Sequence, residues 1–485
     1  MMSRSSMTRL PYNALKFILL VMSLTHISLF FYNATKLSIY LRNIQIDFGE
    51  GILLGNAERL TKFLTIYPNI KVESILGVYP PLYQLLSAGM INITGLNLAS
   101  GRIISATASI ITAILIYKSA STQDKLLKIA FPALYLSSPI IMTWGPLMRI
   151  DALATMFTIL GIYLFMNAPP KLRIPLAATA LAASTLTKQN MLAGVAAILI
   201  FLLAKKSWKD ALKFLAYYSA IFGSTTALLT VITNGQYINH IYLYHFGHEY
   251  QLSRLSIYDW FFKMHLIVIT AAILFTIYYL KVDKTTPSIY YYPLALLSSL
   301  SIGKIGAATN YYVEPVASII LFLAVSSRKL PKKRDVIMIA FTFLMISQFV
   351  IYSQNIALVP NIEENLIFSN KLKLLDYLQN INGKVLCEDA TAAVISKKGP
   401  AVDWFILAQI FRNHLWNEHE YVEKLIRENF THLILSFDIT PRNVPSIEDE
   451  RFTHKLLNEF QENFILKEKI GNYRVYVYKE MKDHG

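Results

Sequence analysis

The stretch that decides the fold is NIQIDFGEGILLGNAERL, residues 43–60, which follows the first apolar run of a chain rich in such runs. It places two carboxylates, Asp47 and Glu50, three residues apart among glycines and aliphatic side chains. Residues at this spacing share one face of a helix, so the pair could converge on one ligand. The alternative is a helix cap, because Asp47 before a helix that starts near Glu50 would cap it well.

The pair also suggests two kinds of chemistry. A carboxylate here could act as a general base that takes a proton from a hydroxyl group. Two carboxylates could instead hold a divalent cation, Mg²⁺ or Mn²⁺, through oxygen ligands. Asp47 and Glu50 are therefore the candidate catalytic residues, and the sequence leaves a divalent cation open as a cofactor.

The composition identifies an integral membrane protein. Of the 485 residues, 54% are hydrophobic and 16% are charged, whereas soluble domains carry about 25% charged residues. The net charge is +15, but the basic residues recur in short clusters between apolar runs, which is typical of loops beside anionic lipid and not of a nucleic-acid partner. The single cysteine, Cys387, excludes an intramolecular disulfide and a CxxC metal site.

About eleven apolar runs are long enough to cross a bilayer, some of them only if protein shelters them. They are residues 12–32, 101–117, 129–144, 150–167, 174–187, 190–204, 210–232, 262–280, 287–303, 312–327 and 335–353. The first run could belong to a cleaved signal peptide. No small-residue cleavage site follows it, so we interpret it as an uncleaved first span.

The loop charges predict the orientation of the spans. With the N-terminus in the cytoplasm, every basic loop cluster falls on the cytoplasmic side, as the positive-inside rule requires. This holds only if residues 81–95 do not span, so YPPLYQLLSAGMINITG, residues 79–95, is predicted to be an interfacial helix. We therefore expect a multi-pass protein of the cell membrane with a long first loop, residues 33–100, on the external face.

The C-terminal segment has a different character. Residues 361–485 alternate amphipathic helices with strand-like runs such as KVLCED, THLILSFD and YRVYVYK. This alternation predicts a small α/β domain, which an odd number of preceding spans would place on the external face. The predicted fold class is an α-helical polytopic membrane domain, residues 1–360, followed by an external α/β domain, residues 361–485.

The topology gathers a set of polar residues on the external face: Asp47, Glu50, Arg149, Asp151, Lys188, Gln189, His240, His245, His248, Glu249, Lys304, Asn310 and Glu314. Ionisable groups at span ends usually have partners or a function. Arg149 and Asp151 open a span and could bind an anion, or could form a cap and an ion pair. Lys188, between two short apolar runs, could bind a lipid phosphate or extend its ammonium group to the surface.

Two further groups have alternatives of their own. Asn310 and Glu314 lie at the mouth of a span among tyrosines, where an aromatic belt is the alternative to a site. His245, His248 and Glu249 are close in sequence but lack the HExxH spacing of zinc enzymes, so we interpret their loop as an aromatic-rich interfacial one.

An ordered set of segments resembles the GT-C superfamily of membrane glycosyltransferases, and within it the family 39-like proteins akin to protein mannosyltransferases and aminoarabinose transferases. The segments are DFGE (47–50), YPPLYQLL (79–86), GRIISATASIITAILIYK (101–118), RIDALATMFTILGIYLF (149–165), LTKQNMLAGVAAIL (186–199) and ATNYYVEP (308–315). The resemblance covers most of the membrane domain, and Tyr79 within it joins Asp151, Asn310 and Glu314 as a candidate site residue. Protein mannosyltransferases have adjacent D-E where this chain has D-F-G-E, which leaves the role of Glu50 open.

The resemblance implies transfer of a sugar from a polyprenyl-phosphate donor to a hydroxyl of a glycan or protein acceptor at the outer face, with inversion. Asp47 matches the position of the general base. Lys188 and Arg149 are candidates for binding the donor phosphate, from their charge and placement. The sequence has no nucleotide-binding loop, and its nearest approach to the WWD motif of oligosaccharyltransferases is VDWF, residues 402–405, which argues against such a subunit.

Other functional classes predict different features. A secondary transporter would carry charged residues near mid-span and two-fold internal similarity, neither of which the sequence has. A lipid-sugar flippase needs polar residues along a path to the cytoplasm. A non-catalytic membrane scaffold would make Asp47 and Glu50 dispensable.

Overall fold

The computed structural model describes residues 4–245, 249–281, 285–327, 339–340, 342–347, 350, 363–439 and 450–479. The described chain up to residue 327 is helical, and residues from 363 onwards form an α/β domain. The predicted fold class, a polytopic helical domain followed by a small α/β domain, is confirmed. The predicted boundary at residue 360 lies outside the described residues.

The helices of the first domain are α1 (Arg4–Thr35), α2 (Phe48–Thr61), α3 (Leu82–Thr94), α4 (Ala99–Ser119), α5 (Lys125–Leu136), α6 (Pro139–Trp144), α7 (Ile150–Asn167), α8 (Arg173–Thr185), α9 (Ala193–Ala204), α10 (Trp208–Ile232), α11 (Gln236–Ile241), α12 (Ser256–Lys281), α13 (Pro287–Ser298) and α14 (Val313–Ser326). Short π-helical and 3₁₀ turns lie between some of them: Lys36–Tyr40, Leu243–His245, Leu252–Leu255, Ser299–Gly303 and Thr309–Tyr312.

Six helical segments of the described chain are long and apolar enough to cross a membrane. They are Asn13–Tyr40, Ala99–Ser119, Ile150–Asn167, Trp208–Ile232, Leu252–Lys281 and Thr309–Ser326. Each overlaps a predicted span, so the multi-pass character is confirmed, while the number of spans and the orientation remain predictions. The predicted span 335–353 falls mostly outside the described residues.

One predicted span is broken. The run 129–144 is expected to be a single helix, but α5 ends at Leu136 and α6 starts at Pro139. Proline has no backbone N–H to donate and its ring clashes with a preceding turn, so it suits the first position of a new helix. The proline pair at residues 80–81 likewise precedes a new helix, α3, in the segment predicted to form an interfacial helix.

Burial separates the helices into a centre and a periphery. The span that contains α14 is 89% buried inside the protein, whereas the span of α10 is 6% buried. Helix α10 exposes Leu212, Leu228 and Val231. An apolar helix face without protein cover is the face that a bilayer would cover, so α10 lies at the lipid-facing edge of the domain.

The C-terminal domain contains a four-stranded sheet with the strand order β1-β2-β4-β3. Its elements are α15 (Glu363–Asn380), β1 (Lys384–Cys387), α16 (Ala390–Ser396), α17 (Trp404–Arg412), α18 (Glu418–Arg427), β2 (Phe430–Leu435), α19 (His454–Asn463), β3 (Phe464–Ile470) and β4 (Tyr473–Tyr478). Strand β1 pairs with β2 in parallel, and the other neighbours are antiparallel. The parallel pair requires a crossover, which α16, α17 and α18 provide.

Helix α2, from the opening stretch, joins the two domains. Ile52, Leu53 and Leu54 are buried in one apolar cluster together with residues of the C-terminal domain, and each such side chain contributes roughly 1.5–3 kcal/mol by burial. A Cβ on Gly55 would lie 2.4 Å from the Ala401 Cβ, and one on Gly51 would lie 2.5 Å from the Thr391 backbone nitrogen. The glycines of the stretch therefore let the C-terminal domain pack directly against α2.

A candidate active site between the helical domain and the C-terminal domain

The cap predicted for Asp47 is present. Asp47 is the N-cap of α2, and its Oδ1 accepts a hydrogen bond from the Gly49 N–H at 3.0 Å. The Glu50 carboxylate completes a capping box by accepting from the Asp47 N–H at 3.4 Å. The cap fixes the position of the Asp47 carboxylate. The carboxylate also has a contact outside the cap, because Oδ1 accepts a hydrogen bond from Arg149 at 2.9 Å.

Glu50 has a different environment. Its carboxylate forms a two-pronged ion pair with Arg102, with Nε–Oε1 and Nη2–Oε2 distances of 2.7 Å, and both side chains are 0% exposed. Two backbone N–H groups, of Ile46 and Met148, also donate to it at 2.8 and 2.9 Å. Burial opposes ionisation of this carboxyl, but Arg102 and the backbone donors hold its pKa below the ordinary value.

Arg102 extends this buried cluster to the end of the first helix. Its guanidinium donates to the carbonyls of Leu37, Leu41 and Ile44 at 2.6–2.8 Å. The expectation that Glu50 and Asp47 converge on one ligand is not supported, because Glu50 is enclosed and fully engaged with its neighbours. Its contacts make it a positioning residue that ties the Asp47 loop to α4 and to the residue before Arg149.

Four charged side chains form a continuous series, which we call the charged chain: Asp47, Arg149, Asp151 and Lys188. The Asp47–Arg149 distance is 2.9 Å, the Arg149 Nε–Asp151 Oδ2 distance is 3.9 Å, and the Asp151–Lys188 distance is 2.7 Å. Negative and positive groups alternate, so each carboxylate adjoins a cation. The structure thus brings together four of the residues that the sequence predicts for the site.

Arg149 is the accessible cation of the charged chain. Its side chain is 12% exposed, and its Nε has no hydrogen-bond partner among the described residues. A Cβ on Gly49 would lie 1.6 Å from Arg149 Nη1, so glycine at residue 49 leaves the space that the guanidinium occupies beside Asp47. Arg149 therefore keeps donors for a further anion while it is bound to Asp47.

Lys188 is the buried cation of the chain. Its ammonium nitrogen lies 4.4 Å from the centre of the Tyr311 ring, close enough for a cation–π contact, besides its bond to Asp151. Burial lowers the pKa of Lys188, but the Asp151 carboxylate outweighs this and raises it above the ordinary value. The amide of Asn310 donates to the other Asp151 oxygen at 3.0 Å, and Asn310 and Glu314 are both buried beside this pair.

The C-terminal domain contributes an acid to the same region. Asp403 caps α17 by accepting from the Ile406 N–H at 3.1 Å and interacts electrostatically with Arg149 and Asp47. Burial raises the pKa of Asp403 to about 6. Tyr79, whose pKa burial raises to about 12, also interacts with Arg149 and Lys188. Tyr79 is among the site residues predicted from the sequence, whereas Asp403 is not.

His240, one of the polar residues gathered by the predicted topology, has structural contacts. The ring of His240 is packed against those of Tyr67 and Tyr244, and its Nε2 lies 2.8 Å from the Pro68 carbonyl, which is a structural contact. His248 lies outside the described residues. Within the described ranges no group of three or more His, Cys, Asp or Glu side chains could hold a metal ion. Lys304 is exposed, and Gln189 donates to the Val78 carbonyl at 3.2 Å.

The carboxylates of the site also fit a divalent cation poorly. Asp47 and Asp151 are each bound to a cationic side chain, and Glu50 is enclosed by Arg102. A metal ion would need two or more of these oxygens and would displace Arg149 or Lys188 from them. We therefore derive no step through a metal ion.

Comparison with known proteins supports the predicted resemblance. The family described as dolichyl-phosphate-mannose-protein mannosyltransferase matches residues 78–235. This segment includes Tyr79, Arg149, Asp151 and Lys188, and it begins after Asp47. A search of curated proteins by sequence gives no significant match.

The fold is shared with solved structures of low sequence identity. ArnT from Cupriavidus metallidurans bound to undecaprenyl phosphate aligns with a TM-score of 0.57 and 10% identity, over 93% of this chain and 97% of ArnT. Its apo state aligns with a TM-score of 0.52 and 11% identity, over 84% and 79% of the two chains. The archaeal oligosaccharyltransferase AglB from Archaeoglobus fulgidus, in complex with an inhibitory peptide and a dolichol-phosphate, gives 0.50 and 10% over 94% and 74%.

The likeness to these neighbours is one of fold alone, since their identity to this chain is about one residue in ten. The family match is independent of them because it rests on sequence. The two findings agree, and together they support the predicted resemblance to the GT-C superfamily of membrane glycosyltransferases.

Proposed function

We propose that this protein transfers a sugar from a polyprenyl-phosphate donor to a hydroxyl group of a glycan or protein acceptor, with inversion at the anomeric carbon. The observation that carries the proposal is the charged chain, in which Asp47 adjoins Arg149 and Asp151 links Arg149 to Lys188. The Asp47 carboxylate can take the proton of the acceptor hydroxyl, and the cations can bind the phosphate of the donor. The family match and the lipid phosphates bound by ArnT and AglB support the same donor class.

In this proposal Asp47 is the general base. A hydroxyl is a weak nucleophile, so a base must take its proton as it attacks the anomeric carbon, a contribution typically worth ~10²–10⁴-fold in rate. The capping box holds the Asp47 carboxylate in place, and its side chain is 23% exposed, so an acceptor hydroxyl can reach it.

Arg149 and Lys188 receive the leaving group. The bond between the anomeric carbon and the phosphate oxygen breaks with its electron pair on the phosphate, which then carries an additional negative charge. Positive donors fixed in position stabilise charge that develops in the transition state. Arg149 has the unpartnered Nε and the greater exposure, so it is the first contact for the phosphate, and Lys188 contributes from the buried end.

The apolar surface of the helical domain suits the lipid part of the donor. Helix α10 is uncovered by protein along most of its length, and the site lies at helix ends, not in mid-span. A polyprenyl tail can therefore remain in the bilayer while its phosphate reaches Arg149. We propose the outer face of the cell membrane as the location, with the N-terminus in the cytoplasm.

The deciding experiment measures label transfer from a panel of labelled polyprenyl-phosphate sugars in membranes that contain wild type or Asp47→Asn. We expect transfer by wild type from at least one donor, and loss of about 10²-fold or more in the variant. Asparagine is as good an N-cap as aspartate, so the helix should persist.

Asp124→Asn is the matched control, because Asp124 caps α5 by accepting from the Leu126 and Leu127 N–H groups, away from the site. It should retain full transfer. Retained transfer by Asp47→Asn would refute the base assignment, and no transfer by wild type from any donor would favour a transporter, a flippase or a scaffold.

A further inference from the structure

A small cavity adjoins the Lys188 end of the charged chain. Its walls come from α7, the α8–α9 connection, the end of α13 and the turn that leads into α14. Asp151, Lys188 and Asn310 line both the cavity and the candidate active site. The cavity volume is about 10 Å³, which is roughly the space of one water molecule or one hydroxyl group.

The cavity wall presents buried polar atoms without partners. Among the described residues, Glu314 Oε1, Asn310 Oδ1 and Thr155 Oγ1 have no close hydrogen-bond partner, although the Tyr291 hydroxyl interacts with the Glu314 carboxyl. The three side chains are 5%, 4% and 1% exposed. Buried polar atoms are nearly always bonded, and an unbonded one is unfavourable, so this wall is suited to a polar group that enters the cavity.

The chemistry of the three atoms defines that group. The Asp151 carboxylate only accepts, so the Asn310 Nδ2 faces it and the amide oxygen faces away. The Asn310 oxygen then requires a donor, while the Thr155 hydroxyl can either donate or accept and the Glu314 carboxyl accepts when it is ionised. A hydroxyl group can both donate and accept, and a cavity of about 10 Å³ has no room for a phosphate or a carboxylate.

We propose that this cavity binds one hydroxyl group of the donor sugar, which donates a hydrogen bond to Glu314 or Asn310 and accepts one from Thr155. The inference rests on the proposed function, because it places the sugar beside the phosphate-binding cations. A sugar that lacks this hydroxyl leaves the buried atoms unpaired. A site built to bond a hydroxyl rejects the analogue without it much more strongly than an apolar pocket does.

The test uses a lipid-linked sugar that wild type accepts, together with its monodeoxy analogues. The measurement is kcat/KM for each donor with wild type, Glu314→Gln and Thr155→Val. In wild type, removal of one particular hydroxyl should reduce kcat/KM at least about tenfold more than removal of the others. In the two variants this preference should shrink to about threefold or less, because the partners of that hydroxyl are altered.

Glu73→Gln is the matched control, since Glu73 pairs with Arg59 at 2.7 Å and does not line the cavity. It should keep the wild-type preference. Thr155→Val preserves the side-chain shape and so serves if Glu314→Gln folds poorly. If both variants discriminate among the deoxy donors as wild type does, the proposal is overturned and the cavity holds water only. If wild type accepts no donor, the proposed function fails first, and the cavity proposal fails with it.

Discussion

Asp47 and Glu50 each meet an arginine, at 2.9 and 2.7 Å, but the two pairs differ in surroundings and in spare bonding capacity. The Glu50–Arg102 pair is sealed inside the protein, and Arg102 also bonds three carbonyls. The Asp47–Arg149 pair is partly exposed, and the part of the chain that the structure describes offers no hydrogen-bond partner to Arg149 Nε. Two carboxylates three residues apart therefore have separate tasks: one holds the loop in place, and the other is available for chemistry.

The largest expected effect is on stability, from breaking the sealed pair. Arg102→Met should destabilise the protein by about 3–5 kcal/mol, because it leaves the Glu50 carboxylate buried without its cation. The measurement is the unfolding midpoint in detergent. Replacement of both partners, as Glu50→Leu with Arg102→Leu, should cost less than the two single losses combined. An Arg102→Met variant as stable as wild type would show that the pair does not hold the loop.

The second expected effect is on donor binding. Lys188→Ala removes one cation and its charge-assisted bonds, so it should weaken binding of the donor by about 10- to 100-fold. Competition by a polyprenyl phosphate in the transfer assay measures this affinity. Lys188→Arg keeps the charge and should lose less. An unchanged donor affinity in Lys188→Ala would mean that Lys188 only neutralises Asp151.

The third effect is on the pH dependence of transfer. Burial raises the pKa of Asp47 above its ordinary value, and Arg149 partly offsets this. A general base must be ionised, so activity should fall as the pH drops through the Asp47 pKa, at a higher pH than for an ordinary aspartate. Arg149→Gln removes the offset and should move this acid limb upward by roughly one unit or more.

The control for this shift is Arg149→Lys, which retains a positive charge and should leave the acid limb closer to that of wild type. The measurement is kcat/KM against pH with a saturating acceptor. An acid limb at the same pH in wild type and Arg149→Gln would show that Asp47 is not the group that titrates.

The smallest effect should come from chelation. Arg149 and Lys188 already neutralise the carboxylates of the site. We therefore expect a chelator to change the transfer rate by less than about twofold, which is the size of effect that loss of a weakly bound surface ion would have. Loss of transfer that Mg²⁺ or Mn²⁺ restores would contradict this expectation and revive the cation as a cofactor.

Much of the fold follows from patterns that the sequence displays. Long apolar runs predict the spans, and the basic loop clusters predict which polar residues lie on one face. Asp47 directly before α2 predicts a helix cap, which the structure contains. The run 129–144 shows where such patterns fail. Its apolar length predicts one helix, but a helix boundary lies at residues 137–139, where Pro139 starts a new helix.

The partners of the charged residues could not be predicted in the same way. A lone arginine one turn inside an apolar helix indicates that Arg102 must have a partner, but not which carboxylate. Asp403 reaches the site from a domain more than two hundred residues after Arg149 in the sequence, through tertiary packing that local patterns do not encode. His240 shows the converse, because a histidine that the predicted topology groups with the site residues is packed against Tyr67 and Tyr244.

The close packing of the C-terminal domain against Gly51 and Gly55 bears on the order in which the parts of the protein fold. The Thr391 hydroxyl donates to the Gln45 side chain at 2.9 Å across 346 positions of the chain, and Lys371 donates to the Gln45 carbonyl at 2.9 Å. Contacts between such distant segments form late, because the intervening chain must first be ordered. The loop that carries Asp47 is thus fastened only after the C-terminal domain has folded, so a half-made chain lacks the ordered loop.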